Sequence, residues 1–189
     1  MLRKKHTPPR VGMFKKVSYE EYEKAMMDCF TYTEKDEEGK DITHVPDISE
    51  IHEMYDAIEI PQRATKGSAG YDIKLPVGIV ISPGQTLKIP TGLRVKIEDG
   101  WWLAVVPRSS LGFKYRLQLD NTIGVVDSDY YNSDNEGQIY LKLTNDSNEG
   151  KELQLDEGKA VCQALFLPYG ITYSDAADGI RNGGLGSTN

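Results

Sequence analysis

The stretch IVISPGQTLKIPTGLRVKIEDGWWLAVV (residues 79–106) decides the fold. It holds short runs rich in β-branched and aromatic residues, Ile79–Ile81, Thr86–Ile89, Leu93–Ile97 and Trp101–Val106. Between them fall the turn signals Pro83-Gly84, Pro90-Thr91-Gly92 and Asp99-Gly100. The pattern continues outward with Ile73–Leu75 before it and Leu117–Leu119, Ile123–Val126, Gln138–Thr144, Leu153–Leu155 and Val161–Leu167 after it. Asn148-Glu149-Gly150 and Asp156-Glu157-Gly158 supply further turns. Many short strands with no helical pattern between them predict an all-β fold, an antiparallel jelly-roll sandwich or barrel.

The chain changes character near residue 57. Before it, Met13–Val17 reads as a short strand, and Ser18 with Glu21 forms an S-x-x-E box that starts a helix. Tyr19, Tyr22, Ala25, Met26 and Cys29 then share one face, so a helix is predicted over 18–30. Residues 33–50, TEKDEEGKDITHVPDISE, are acidic and poor in large apolar groups, and they read as an inserted, solvated loop. From about residue 176 hydrophobic periodicity disappears and glycine dominates, which predicts a flexible tail. The expected organisation is an N-terminal extension over 1–57, a β core over 58–175 and a C-terminal segment over 176–189.

A chain of 189 residues buries roughly 70% of its unfolded surface and needs no staples. The basic start MLRKKHTPPR has no apolar run behind it, and no stretch approaches the ~18 apolar residues of a membrane span, so a cytoplasmic protein is expected. Cys29 and Cys162 are far apart and read as reduced thiols. The net charge of −7, from 22 basic and 29 acidic residues, argues against nonspecific binding to nucleic acid or to an anionic membrane. A phosphate ligand must find a local basic pocket. His6, His44 and His52 stand at no metal-ligand spacing and are expected at the surface.

Five polar, glycine-containing blocks punctuate the chain: GSAGYD (67–72), PRSSLG (107–112), NTIGVVDSDYY (121–131), GKAVCQ (158–163) and RNGGLGSTN (181–189). Arg108, with Ser109 and Ser110 beside it, follows an apolar strand and presents a guanidinium fork and hydroxyls suited to phosphate oxygens. In the third block an amide, Asn121, precedes small and β-branched residues and then Asp127, Asp129 and Tyr130, which reads as a β-hairpin with a carboxylate at one end. A pyrimidine edge of carbonyl, N–H and carbonyl resembles a peptide, so backbone around Asn121–Val126 can pair with it. A base with an exocyclic amine there sets donor against donor, a mismatch worth ~10⁴-fold or more. No Walker A loop and no G-x-G-x-x-G after a strand is present.

In order and spacing these blocks resemble the homotrimeric deoxyuridine triphosphatases (dUTPases) over roughly residues 58–189, with N-x-x-G-x-x-D-x-D-Y the most specific match. The resemblance implies a distorted jelly roll, a homotrimer with sites shared between subunits, and conversion of dUTP and water to dUMP and diphosphate with Mg²⁺. That reaction supplies dUMP for dTMP synthesis and keeps uracil out of DNA. Asp127 then activates the water that attacks the α-phosphorus. Asn121, the backbone of Val125 and Val126, and Tyr140 take uracil, while Tyr130 stacks on deoxyribose and excludes a 2′-hydroxyl. Arg108, Ser109, Ser110 and Gln163 hold the triphosphate, and Asp72 supports the arginine or metal-bound water. Mg²⁺ is held mainly by substrate phosphates and water. Arg181, Leu185, Gly186, Ser187 and Thr188 belong to a closing lid.

The chain departs from the family pattern in four places. The lid usually reads R-G-x-G-G-F-G, whereas only Asn182 separates Arg181 from the glycine pair, and Leu185 stands for the stacking phenylalanine. Ser110 replaces a common glycine, Tyr131–Glu136 is an insertion, and residues 1–57 exceed the usual short first strand. Two rivals share parts of the pattern. The dCTP deaminase branch also carries R-S-S, but it continues to a further arginine where this chain has Gly112-Phe113, and its third block lacks D-x-D-Y. A regulatory binding protein on the same scaffold would use residues 18–57 as its partner surface. A zinc deaminase fails for want of ligands.

Overall fold

The computed structural model describes residues 7–181 and 183. The expected strands all form, with ends displaced by a residue or two: β1 (Gly12–Lys16), then, beyond the extension, β4 (Tyr71–Lys74), β5 (Ile79–Ile81), β6 (Thr86–Pro90), β7 (Leu93–Ile97), β8 (Trp101–Pro107), β9 (Leu117–Leu119), β10 (Gly124–Val126), β11 (Tyr140–Asn145), β12 (Leu153–Leu155) and β13 (Ala160–Pro168). Every pairing is antiparallel. One sheet has the order β10-β8-β13-β4 and faces a second of order β6-β11-β9, with the pairs β1–β7 and β12–β5 completing the roll. Ile73, Leu103, Leu143 and Leu153 fill the space between the sheets and are fully buried. Each such side chain contributes about 1.5–3 kcal/mol by leaving water. Cys162, on β13, is equally buried, and desolvation pushes its thiol up to about 12; the half-buried Cys29 thiol is also raised by burial, against the nearby Lys88 charge.

Residues 33–50 are not a loop. A hairpin of β2 (Tyr32–Lys35) and β3 (Asp41–His44) occupies the first part, and α2 (Ile48–Ala57) begins inside the second. Asp47 accepts from Ser49 N–H at 2.7 Å and Glu50 N–H at 3.4 Å, so the acidic residue is a helix cap rather than a solvating charge. Ile51 then drops into a small core with Val17, Tyr22 and Met26, the last two from α1 (Tyr19–Phe30). The helix over 18–30 is therefore joined by α2, by α3 (Ser109–Tyr115) and by a 3₁₀ turn over Ser128–Asn132. α3 and the 3₁₀ turn are too short to show a period, whereas α2 carries one, Ile48, Ile51, Met54 and Tyr55, which the acidic run before it masks. No helix among the described residues is long and apolar enough to cross a membrane.

The helices dock on the β6–β7 turn. Gly92 has φ of +67°, which L side chains rarely adopt, and a Cβ there would displace Ile58 Cδ1, 2.3 Å away, so backbone and packing both favour glycine. Val17 N–H donates to Gly92 O at 3.0 Å, and Tyr55 Oη donates to Val17 O at 2.7 Å.

Candidate active site

β9 pairs with β11 only over Leu143–Asn145, and the chain then leaves that sheet and joins the other as β10. The crossing is a turn between sheets, not the hairpin expected at Asn121–Tyr130, because β9 and β10 do not pair with each other. Thr122 sits at φ of +66°, which costs a β-branched residue of order 1–3 kcal/mol. Thr122 N–H to Leu119 O (2.8 Å) and Ile123 N–H to Asn121 O (2.6 Å) hold the turn. Its consequence is a cleft of about 150 Å³, open to solvent, whose lining includes Asn121, Gly124, Val125, Val126, Tyr130 and Tyr140.

Among the described residues β10 is an edge strand, paired on one side with β8 alone, and β11 has no partner on its β9 side at Tyr140 and Leu141. Two strips of backbone N–H and C=O groups therefore flank the cleft, and they can satisfy a flat ligand with a peptide-like edge. Tyr130 is 3% exposed; its hydroxyl donates to Gln138 O at 2.8 Å and accepts from Asn135 Nδ2 at 2.9 Å, which fixes the ring plane. Burial raises its phenol pKa, with Asn135 and Arg181 opposing. Gly137, at φ of +69°, lets the following loop pass over Tyr130 O, which a Cβ would meet at 2.5 Å.

Asp127 follows β10 directly and is half exposed at the rim. Arg181 Nη2 reaches Asp127 Oδ2 at 3.1 Å, its Nε lies 3.3 Å from Asp129 Oδ1, and the guanidinium stands 5.5 Å from the Tyr130 ring centroid. The lid residues Leu185, Gly186, Ser187 and Thr188 lie outside the described residues. Among the described residues no three His, Cys, Asp or Glu side chains come together as a metal cage. An open rim with exposed carboxylate oxygens suits Mg²⁺, which keeps most of its waters and takes few protein ligands.

The remaining expected residues gather elsewhere. Gln163 on β13 donates through Nε2 to Asp72 Oδ1 on β4 at 3.3 Å, and Arg108 Nε lies 3.8 Å from the same oxygen. Arg108 precedes α3, so Ser109 and Ser110 are exposed on its first turn, where backbone N–H groups lack intrahelical partners. The β10–β8 register pairs Gly124 with Val105 and Val126 with Leu103, and continued by one residue it brings Asp127 to the level of Trp102. Arg108 lies six residues further along (102 to 108), about 20 Å at ~3.3 Å per residue. One chain thus separates the cleft from an arginine, hydroxyl and amide cluster. Sequence reasoning passed over Gln138, which is fully buried in the wall of the cleft; an amide in an apolar run carries no periodic signal.

A jelly roll with a peptide-like cleft, a rim carboxylate and a separate phosphate-suited cluster defines a nucleotide-binding β-protein. A sequence model of the family described as dUTPase matches residues 56–188. The chain belongs to the dUTPase family. It is 40% identical over 134 residues to the deoxyuridine 5′-triphosphate nucleotidohydrolase of Lactococcus lactis, covering 69% of this chain and 88% of that protein. The crystal structure of dUTPase from Streptococcus mutans is similar at 36% identity and a TM-score of 0.54, over 60% of this chain and 88% of that one. A mutant dUTPase from phage phi11 of S. aureus, described with a structural Mg(II) ion, shares the fold at 21% identity and a TM-score of 0.53, over 64% and 90%.

Proposed function

We propose that the protein is a dUTP diphosphatase, active as a cytoplasmic homotrimer with sites shared between subunits. The observation that carries this reading is the free β10 edge beside Asn121, with Asp127 at its end. Uracil pairs with the backbone of Val125 and Val126, Asn121 and Tyr140 border it, and deoxyribose lies on Tyr130. Asp127 accepts a proton from the water that attacks the α-phosphorus; the bond from that phosphorus to the bridging oxygen breaks, and diphosphate leaves with the electron pair. Proton transfer to a carboxylate supplies only part of such an acceleration, so positioning and charge stabilisation supply most of the rate. Substrate phosphates and water would hold Mg²⁺ at the open rim beside Asp127, where it would supply neutralisation of negative charge. Arg108, Ser109, Ser110 and Gln163 hold the phosphates, Asp72 steadies Arg108 or a metal-bound water, and Arg181 with Leu185, Gly186, Ser187 and Thr188 forms the lid.

The separation of Arg108 from Asp127 along the β10–β8 pair, about 20 Å of backbone rise, supports sharing, since two neighbouring chains can bring both groups to one triphosphate. Two unpaired thiols support a reducing compartment. The test is product identification by chromatography after incubation with Mg²⁺ and dUTP, dCTP, UTP or dTTP separately. The expected result is dUMP and diphosphate from dUTP alone; ammonia from dCTP would overturn the reading.

A further inference from the structure

An S-x-x-E box ordinarily closes on itself, the serine oxygen taking the third helical N–H and the glutamate returning to the serine N–H. Only the first half closes here: Ser18 Oγ accepts from Glu21 N–H at 3.2 Å. The second half is taken by Glu136, 118 residues away, whose Oε2 accepts from Ser18 N–H at 2.9 Å and Oε1 from the Ser18 hydroxyl at 2.5 Å. Glu136 stands at φ of +54°, unusual for a residue with a Cβ, and Arg94 Nη1 holds it at 3.3 Å. Arg94 Nη2 also donates to Tyr131 O, so one guanidinium ties both ends of the insertion after Tyr130.

Glu21, released from capping, turns to Gln138 in the cleft wall. Gln138 Nε2 donates to Glu21 Oε1 at 3.4 Å and to Tyr140 Oη at 3.3 Å, while Gln138 Oε1 accepts from Gly92 N–H at 3.2 Å. The Gly92 contact fixes which end of the amide is oxygen, and both N–H groups are then committed. Tyr140 accepts from Gln138 and keeps its own proton to donate. Gln138 and Tyr140 both line the cleft, and the Gln138 carbonyl anchors Tyr130. Burial against the body lifts the Glu21 carboxyl above its usual range, with Lys24 opposing.

We propose that Glu21 and Gln138 are positioning residues of the nucleoside subsite: through the chain Glu21–Gln138–Tyr140, helix α1 aims the Tyr140 hydroxyl at the bound nucleoside. Glu136 couples this to the insertion, so the extension and the insertion act as one device. Glu21 lies before the family-matched segment 56–188, so the device is an addition to the shared body. The inference rests on the dUTP reading above.

Steady-state kinetics of the full chain with dUTP and Mg²⁺ test it. Glu21→Ala should raise KM about 5-fold while kcat stays within about 2-fold, and Glu21→Gln, which retains an acceptor, should restore KM. In a Tyr140→Phe background the Glu21→Ala effect should vanish, because the two residues act in series. An unchanged KM in folded Glu21→Ala, or the same factor with and without the Tyr140 hydroxyl, would overturn the proposal and leave the function intact. No turnover of dUTP by the unsubstituted chain would remove both. Should Glu21→Ala not fold, Gln138→Asn, which shortens the amide's reach, carries the same expectation.

Discussion

The nucleoside cleft and the phosphate cluster are built by opposite means. In the cleft, recognition groups are backbone edges held in register by the paired strands, and Tyr130 is pinned by two hydrogen bonds. In the cluster, Arg108 keeps 40% of its side chain in solvent and touches Asp72 only at 3.8 Å. A base is read by shape and donor order, which need a rigid frame within one chain. A triphosphate is read by charge, which tolerates mobile side chains and a second subunit.

Asp127→Asn should break the reaction at the line between the halves, lowering turnover about 10³–10⁴-fold while dUTP still binds. Near-normal turnover, measured under single-turnover conditions, would remove Asp127 as the base. Arg108→Ala should lower kcat/KM about 10²–10³-fold and leave dUMP binding, read by calorimetry, unchanged. Mixing Asp127→Asn and Arg108→Ala chains after joint refolding should then recover about a quarter of normal activity, the fraction of sites drawing both intact residues from different chains. Recovery of none would mean that each site is built within one chain.

Tyr130 tests the cleft's rigidity. Tyr130→Ala should lower stability by about 3–5 kcal/mol in denaturant unfolding and admit UTP, whereas Tyr130→Phe should cost about 1 kcal/mol and still reject UTP. The smallest effect is expected at Glu136, whose carboxyl feels burial that raises its pKa but is held net below its usual 4.5 by Ser18 and Arg94. A depressed carboxylate adds stability above its unfolded value and loses it as pH falls through the folded one. The Tm advantage over Glu136→Gln should therefore be full at neutral pH and shrink below pH 4.5. A constant gap would show that its charge does not hold α1.

The strands were readable because their apolar runs and turn residues recur in the chain itself. The hairpin and α2 were not, since the charges of TEKDEEGKDITHVPDISE outweigh Ile51, although Asp47 followed by Glu50 is a start signal in plain view. Site residues were readable as blocks, but their division into two clusters follows from the β10–β8 register, which no local pattern encodes. The Ser18–Glu21 box announced a helix correctly and concealed that Glu136 would displace Glu21.

Cys162 makes the protein its own chemical clock. With no exposure and a thiol pushed up to about 12, it offers an alkylating reagent almost no thiolate in the closed sheet. The labelling rate thus counts openings of β4, β13 and β8. Since Gln163 is the next residue along β13, a nucleotide gripped there should slow the clock, and occupancy of the phosphate cluster becomes measurable without turnover.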